Sequence, residues 1–223
     1  MEKNNRIIGR IEECERLDRC MRSDSSQLVV VYGRRRVGKT FLINEYFNYK
    51  FAFKLTGVYG EKRKIQLRNF ALELNRRSGV KQEDPKDWTE AFNYLRSYME
   101  SLDSSVKQVV FLDELPWLDS KRSGFLSAFE YFWNDYASTK HNFIFVLCGS
   151  ATSWMDEKIT KNKGGLFNRQ TCRLYLEPFT LNETEKFLDK KGINWSRYEI
   201  AECYMIMGGI PYYLDLLDSE LSL

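Results

Sequence analysis

The eight residues Gly33-Arg34-Arg35-Arg36-Val37-Gly38-Lys39-Thr40 narrow the choice of fold more than any other stretch. They match the pattern G-x-x-x-x-G-K-[ST], and their flanks suit it. Before them, residues 27–32 (QLVVVY) form a short β-branched run that reads as a buried parallel strand. After them, FLINEYF has the apolar spacing of a helix. Two glycines let such a loop wrap so that backbone N–H groups converge on an anion, and the positive end of the following helix adds to the same field. In that cradle Lys39 brings a full charge to the β- and γ-phosphates, and the Thr40 hydroxyl is placed to ligate Mg²⁺. The alternative is a structural glycine turn.

A phosphate site of this kind needs an acid to hold the metal. Residues 108–112 (QVVFL) predict a second clear strand that runs into Asp113-Glu114, with Pro116 just beyond. A carboxylate at a strand's carboxyl end faces the ligand crevice of an open parallel sheet, which makes Asp113 the metal candidate. Glu114 is the candidate to polarise a water for in-line attack. Alone, the pair would read as a solvated turn. Ser150, after the strand at 143–148 (FIFVLC), could sense the γ-phosphate or the attacking water, or could simply belong to a Gly149-Ser150 turn. Arg169 could act as an arginine finger, in cis or on a neighbouring subunit, or be a surface arginine. Lys39, Glu114, Ser150 and Arg169 are thus the catalytic candidates, and Thr40 and Asp113 the metal ligands.

Strands at 51–56 and 173–176 complete a set of five that alternate with helices between residues 27 and 177. Such alternation implies an α/β fold with a parallel sheet covered on both faces. Helices are expected at 11–21, 61–78, 88–101 and 151–158, and one carrying Phe125, Phe129, Phe132 and Trp133 on a core face. Gly164-Gly165 marks a loop. Beyond Pro178, a Thr180/Glu183 capping box opens a helix over 181–191, and further helices at 196–207 and from Pro211 follow. The chain therefore divides into 1–178 and a small helical unit, 179–223.

Composition excludes several classes. At 223 residues, 43% apolar and 15% aromatic, the chain can bury a real core. Its 34 Lys and Arg against 31 Asp and Glu give a net charge of +3, which does not announce a nucleic-acid binder. No apolar run approaches bilayer length and no leader opens the sequence, so a membrane partner is not expected. Five scattered cysteines without a CxxC pair argue against a disulfide framework or zinc site and fit a reducing cytoplasm. A single histidine, His141, gives a histidine-based triad little material. Trp117 and Trp154 follow polar motifs and could line a crevice, with packing as the default.

Taken together, IIGRIEEC, VVVYGRRRVGKT, VVFLDELPWLD, CGSATSW, NKGGLFNR, LEPFTLNETEKFL and MGGIPYYL resemble the archaeal-type ATPases, AAA+-like P-loop NTPases close to the signal-transducing STAND class. The resemblance runs from about Ile7 to Leu214. It implies a three-layer sheet of order 5-1-4-3-2 followed by a small helical lid, with ATP or ADP and Mg²⁺ bound. It implies that Ile8, Gly9 and Arg10 lie against adenine, that Gly33, Arg34, Arg35, Arg36, Val37, Gly38, Lys39, Thr40 and Phe41 hold the phosphates, and that Pro211 belongs to a GxP element that couples the lid to nucleotide state. It also makes Ser150 a sensor residue and puts Arg169 where an arginine finger sits. Relatives usually continue into a winged-helix region and a nuclease-like domain, so effector chemistry is expected to be absent from this sequence or removed by truncation. The lid segment lacks the arginine of AAA+ sensor 2, which makes slow switching the safer expectation than strong hydrolysis.

The guanine-specifying [NT]KxD signal is missing, since Thr160-Lys161-Asn162-Lys163 lacks its aspartate, so the base is expected to be adenine. The leading expectation is an ATP-hydrolysing conformational switch, with a homo-oligomer left open. A nucleotide-gated DNA-binding module of a larger nuclease-like or mobile-element protein is the main alternative, through Arg34-Arg35-Arg36, Lys62-Arg63-Lys64 and Arg76-Arg77. A small-molecule kinase and a nonhydrolysing scaffold complete the set.

Overall fold

The computed structural model describes residues 6–160, 165–166 and 168–218. Gly164, residues 161–163 of the missing base-specificity signal, and the two chain ends lie outside these described residues.

Five strands form one sheet: β1 (Gln27–Gly33), β2 (Phe53–Thr56), β3 (Gln108–Asp113), β4 (Phe143–Gly149) and β5 (Cys172–Leu176). All pairings are parallel and the order is β2-β3-β4-β1-β5, the expected 5-1-4-3-2 order read from the other edge. The inner strands β1, β3 and β4 read as near-continuous apolar runs because both faces are covered, whereas the edge strands β2 (FKLT) and β5 (CRLYL) alternate. Leu28 and Val30 point into one core, shared with α3 (Arg63–Ser78), α4 (Trp88–Glu100) and α6 (Phe125–Asp135). Val29 and Val31 point into the other, shared with α1 (Ile11–Arg22) and α2 (Lys39–Tyr46). The aromatic stripe of α6 is core, as its spacing predicts: Phe132 stacks on Phe92 at 5.2 Å and Phe125 meets Trp88 edge-on at 4.8 Å. Each such pair adds about 0.5–1.5 kcal/mol beyond its buried area.

Three strands outrun their expected ends: β1 continues through Gly33, β3 through Asp113 and β4 through Gly149. Pro116 does not simply stop the chain: it sits in the first turn of a short helix, α5 (Leu115–Leu118), where its missing N–H costs nothing. The helix expected over 151–158 is only α7 (Thr152–Met155), followed by a π-helical turn at Asp156–Thr160.

From β1 the chain crosses to the β2 edge, works back through β3 and β4, and passes β1 again to reach β5. A crevice therefore opens beyond the carboxyl end of β1. After β5 come α8 (Leu181–Lys191), α9 (Arg197–Met207) and α10 (Pro211–Asp215). They pack around Phe179, Cys203 and Leu214, with Ile8 laid against that group, and around Leu188, Ile193 and Ile200. The expected capping box at Thr180/Glu183 forms, and Ser196/Glu199 makes a second that the sequence spells equally clearly. Among the described residues no helix is long and apolar enough to cross a membrane.

Candidate nucleotide site at the end of β1

Gly33 ends β1 at a φ of 145°, so close to β5 that a Cβ on it would stand 2.3 Å from the Leu176 carbonyl oxygen. Gly38, at φ 90°, turns the chain into α2. Both torsions lie where a side chain is strained, which explains the two fixed glycines of the motif. Lys39 folds back across the loop they frame. Its Nζ donates to the carbonyl oxygens of Gly33 (3.0 Å) and Arg34 (2.8 Å). Burial pushes its ammonium group below the ordinary lysine value of 10.5, while Cys148, Glu114 and Asp113 pull it back up.

Thr40 Oγ1 donates to Asp113 Oδ2 at 2.8 Å, joining the loop to the end of β3. Asp113 is buried, and its Oδ1 accepts the Glu114 N–H at 2.9 Å. Glu114 adopts a left-handed backbone (φ 49°), which turns its side chain away from that of Asp113 and onto the cavity wall. There its carboxylate accepts the Ser150 hydroxyl, at 3.0 Å to Oε2 and 3.3 Å to Oε1. The hydroxyl expected to sense phosphate or water is thus engaged with the neighbouring carboxylate.

Hydroxyl and carboxylate side by side at the loop's exit are hard oxygen donors. Among the described residues no group of three or more His, Cys, Asp or Glu could hold a metal by itself. A cation seated on Thr40 and Asp113 would take its other ligands from phosphate and water, which is how Mg²⁺ is commonly held. The donor set fits magnesium.

The cavity measures about 740 Å³, within the range of small-ligand sites. Val37, Gly38, Lys39, Thr40 and Phe41 form its floor, and Glu114, Trp117 and Ser150 one side. Ile7 and Ile8 from the N-terminal segment, and Phe179, Phe187 and Pro211 from beyond β5, add an apolar share of the lining. Polar and apolar lining together suit a phosphorylated base.

Arg10 lines this cavity, but its guanidinium is engaged elsewhere. Nη2 donates to the carbonyl oxygens of Val37 (3.2 Å) and Glu177 (2.7 Å), and the group lies over the Phe179 ring at 5.0 Å. Its backbone N–H donates to Glu183 Oε1 at 3.2 Å, and Gly9 packs against the same carboxylate. Arg10 therefore fastens the N-terminal segment to the loop and to α8. The loop arginines separate as well: Arg35 lies over Trp117 at 5.9 Å, whereas Arg36 reaches α10. Gly33 and Arg34 stand just outside the cavity wall, and Trp154 packs against the core.

Arg169 is not brought to this site. It is exposed and precedes Thr171, whose N–H donates to the Leu28 carbonyl at the opposite end of β1 from Gly33. Five strand residues at about 3.3 Å each separate those ends. Arg169 therefore does not line this cavity.

Sequence reasoning missed Tyr212 and Tyr213, which hold Arg36, and Glu183 as the partner of Arg10. The capping box drew attention to Glu183 for another reason. Cys148, read as a small hydrophobe, is buried beside Asp113, and that burial first, then Asp113, pushes its thiol well up.

Loop, sheet order and cavity together define a P-loop NTPase of the α/β class. The chain belongs to the family of ATPase domains found predominantly in Archaea, whose model matches residues 8–217. An uncharacterized protein of Methanocaldococcus jannaschii is 27% identical over 97% of this chain and 47% of its own length. An uncharacterized ATP-binding protein of the same organism is 44% identical over 44 residues, 20% of this chain and 75% of that protein. Among solved structures, the Walker-type ATPase of Pyrococcus abyssi superposes with a TM-score of 0.67 at 21% identity, over 93% of this chain and 65% of that one. The chain thus spans about half the length of the first relative and less than two thirds of the Pyrococcus abyssi structure.

Proposed function

We propose that this chain binds ATP with magnesium, hydrolyses it slowly, and uses the exchange between ATP and ADP to move the helices that follow β5. The observation that carries the reading is the Thr40–Asp113 hydrogen bond, which puts a hydroxyl and a carboxylate beside the cradle closed by Lys39. In this reading the phosphate tail takes over Lys39 from the Gly33 and Arg34 carbonyls, so a pre-placed ammonium group neutralises the β- and γ-phosphates. Thr40 and Asp113 would hold Mg²⁺, which supplies charge neutralisation at the β- and γ-oxygens. Glu114 accepts a proton from the attacking water while Ser150 orients its carboxylate, and the products are ADP and inorganic phosphate. Ser150 is thus a positioning residue.

Adenine occupies the apolar share of the lining, between Ile8 and the Phe179 and Pro211 side, where a lid formed by residues 179–218 feels its presence. The slow rate is supported by a lid that, among the described residues, offers Tyr212 rather than a cation to the cavity. The STAND-like division into a core and a lid belongs to the same reading.

Titration calorimetry with ATP, ADP and GTP, with and without magnesium, tests it. Adenine nucleotides are expected to bind, GTP to bind at least tenfold more weakly, and magnesium to tighten ATP more than ADP. Lys39→Ala should weaken ADP by about thirtyfold or more, the cost of removing one member of a hydrogen-bonded charge pair. Equal binding of wild type and Lys39→Ala would end the proposal.

A further inference from the structure

Arg36 is the one residue bearing a side chain between Gly33 and Thr40 whose backbone is left-handed, at φ 71°. Such a torsion is strained, and it persists where the surroundings hold it. Here one helix does the holding. Arg36 Nη1 donates to the Tyr213 hydroxyl at 2.8 Å. Its guanidinium lies 4.5 Å from the centre of the Tyr212 ring and 5.2 Å from that of Tyr213. The two rings stand 75° apart, so the planar cation sits in the angle between them. The main chain is held too, because the Tyr212 N–H donates to the Arg36 carbonyl oxygen at 3.4 Å. All four contacts come from α10. That helix is fixed to the C-terminal core by Leu214, which is fully buried, and Tyr212 itself lines the cavity.

We infer that Arg36 is a positioning residue through which α10 sets the shape of the phosphate loop. Tyr212 and Tyr213 hold Arg36, Arg36 is thereby kept left-handed, and the turn so formed presents the backbone of Val37, Gly38 and Lys39 to the cavity. The charged member of the contact is on the loop, and the helix supplies only rings and a hydroxyl. A change in α10 therefore reaches the cradle directly, and a change in the cradle reaches α10 by the same route. The inference rests on the nucleotide reading above for its functional meaning, though not for the mechanical coupling itself.

Hydrogen–deuterium exchange on the full chain tests it, with and without ADP, in wild type, Tyr213→Phe, Arg36→Lys and the double variant Tyr212→Leu/Tyr213→Leu. A peptide covering residues 143–149 reports whether the core stays folded. Without nucleotide, the double variant should raise exchange in residues 33–40 about tenfold and Tyr213→Phe about threefold, from the loss of contacts to a charged group. Arg36→Lys keeps the charge but loses the planar fork, and should fall between them. ADP affinity should weaken in the same order. The affected loop peptide contains neither tyrosine, so a purely packing role would leave it unchanged. Faster exchange confined to residues 211–216, with the loop and the ADP affinity at wild-type values, overturns the proposal. Should wild type bind no ADP, the nucleotide reading falls, while exchange in the loop still decides the coupling.

Discussion

Three side chains at the mouth of β1 are held by partners that a bound nucleotide would replace or reorient: Lys39, Thr40 and Glu114. Glu114→Gln keeps the shape and removes the basic group, so ATP binding should stay within about twofold while turnover falls by about 10²- to 10⁴-fold, the usual contribution of a positioned base. Ser150→Ala should lower turnover by about tenfold with little change in nucleotide affinity, since it frees a carboxylate without deleting it. Single-turnover phosphate release with parallel calorimetry separates the two, and an unchanged rate in Glu114→Gln would remove that residue from its role. Lys39 gives a pH test. Burial lowers its pKa, so the charge is lost on the alkaline side at a pH below 10.5. ADP affinity should therefore decline as pH rises toward 10.5, and the decline should be absent in Lys39→Arg, whose guanidinium does not titrate there. By linkage the free protein gains stability with pH over the same window, because the unfolded chain binds more protons there.

At the level of elements, α8 shows how a local signal acquires a distant partner. Its capping box is legible in the sequence from Thr180 and Glu183 alone. Glu183 also accepts the Arg10 N–H, and that contact joins residues 173 positions apart. Burial raises the Glu183 pKa, but donors from Thr180 and Arg10 outweigh it and hold the carboxyl below 4.5. Its stabilising contribution is thus present above pH 4.5 and lost as pH falls through the lowered folded value. Glu183→Gln should lower the melting temperature by about 2–4 °C at neutral pH, and the gap should close in acid. A constant gap across the pH series would show that charge plays no part. The inner strands were legible because a sheet covered on both sides demands near-continuous apolar runs there. The roles of Arg10 and Arg36 were not: an arginine in a glycine-rich loop looks the same whether it meets phosphate, solvent or an aromatic ring, and only tertiary placement separates these.

On the scale of the whole molecule, one end of the sheet carries the cavity and the other carries Arg169. If Arg169 serves catalysis, it is expected to serve a second copy. Arg169→Ala should then lower ATP turnover only at protein concentrations where copies associate, and mixing it with Glu114→Gln should restore part of the rate through mixed pairs. A loss independent of concentration would contradict this. The same geometry explains what the sequence conveyed about the site: residues adjacent to a strand's carboxyl end stand together around the cavity, whereas Arg169 was ambiguous because its position fixes a strand's beginning.

The fastening made by Arg10 has a consequence for the order of events at synthesis. Its guanidinium waits for Glu177 and its amide for Glu183, near the far end of the described chain. At a ribosomal pace of about 5–20 residues per second, the first segment is left without these anchors for many seconds. The wall carrying Ile7 and Ile8 therefore cannot be sealed while the polypeptide is still half made.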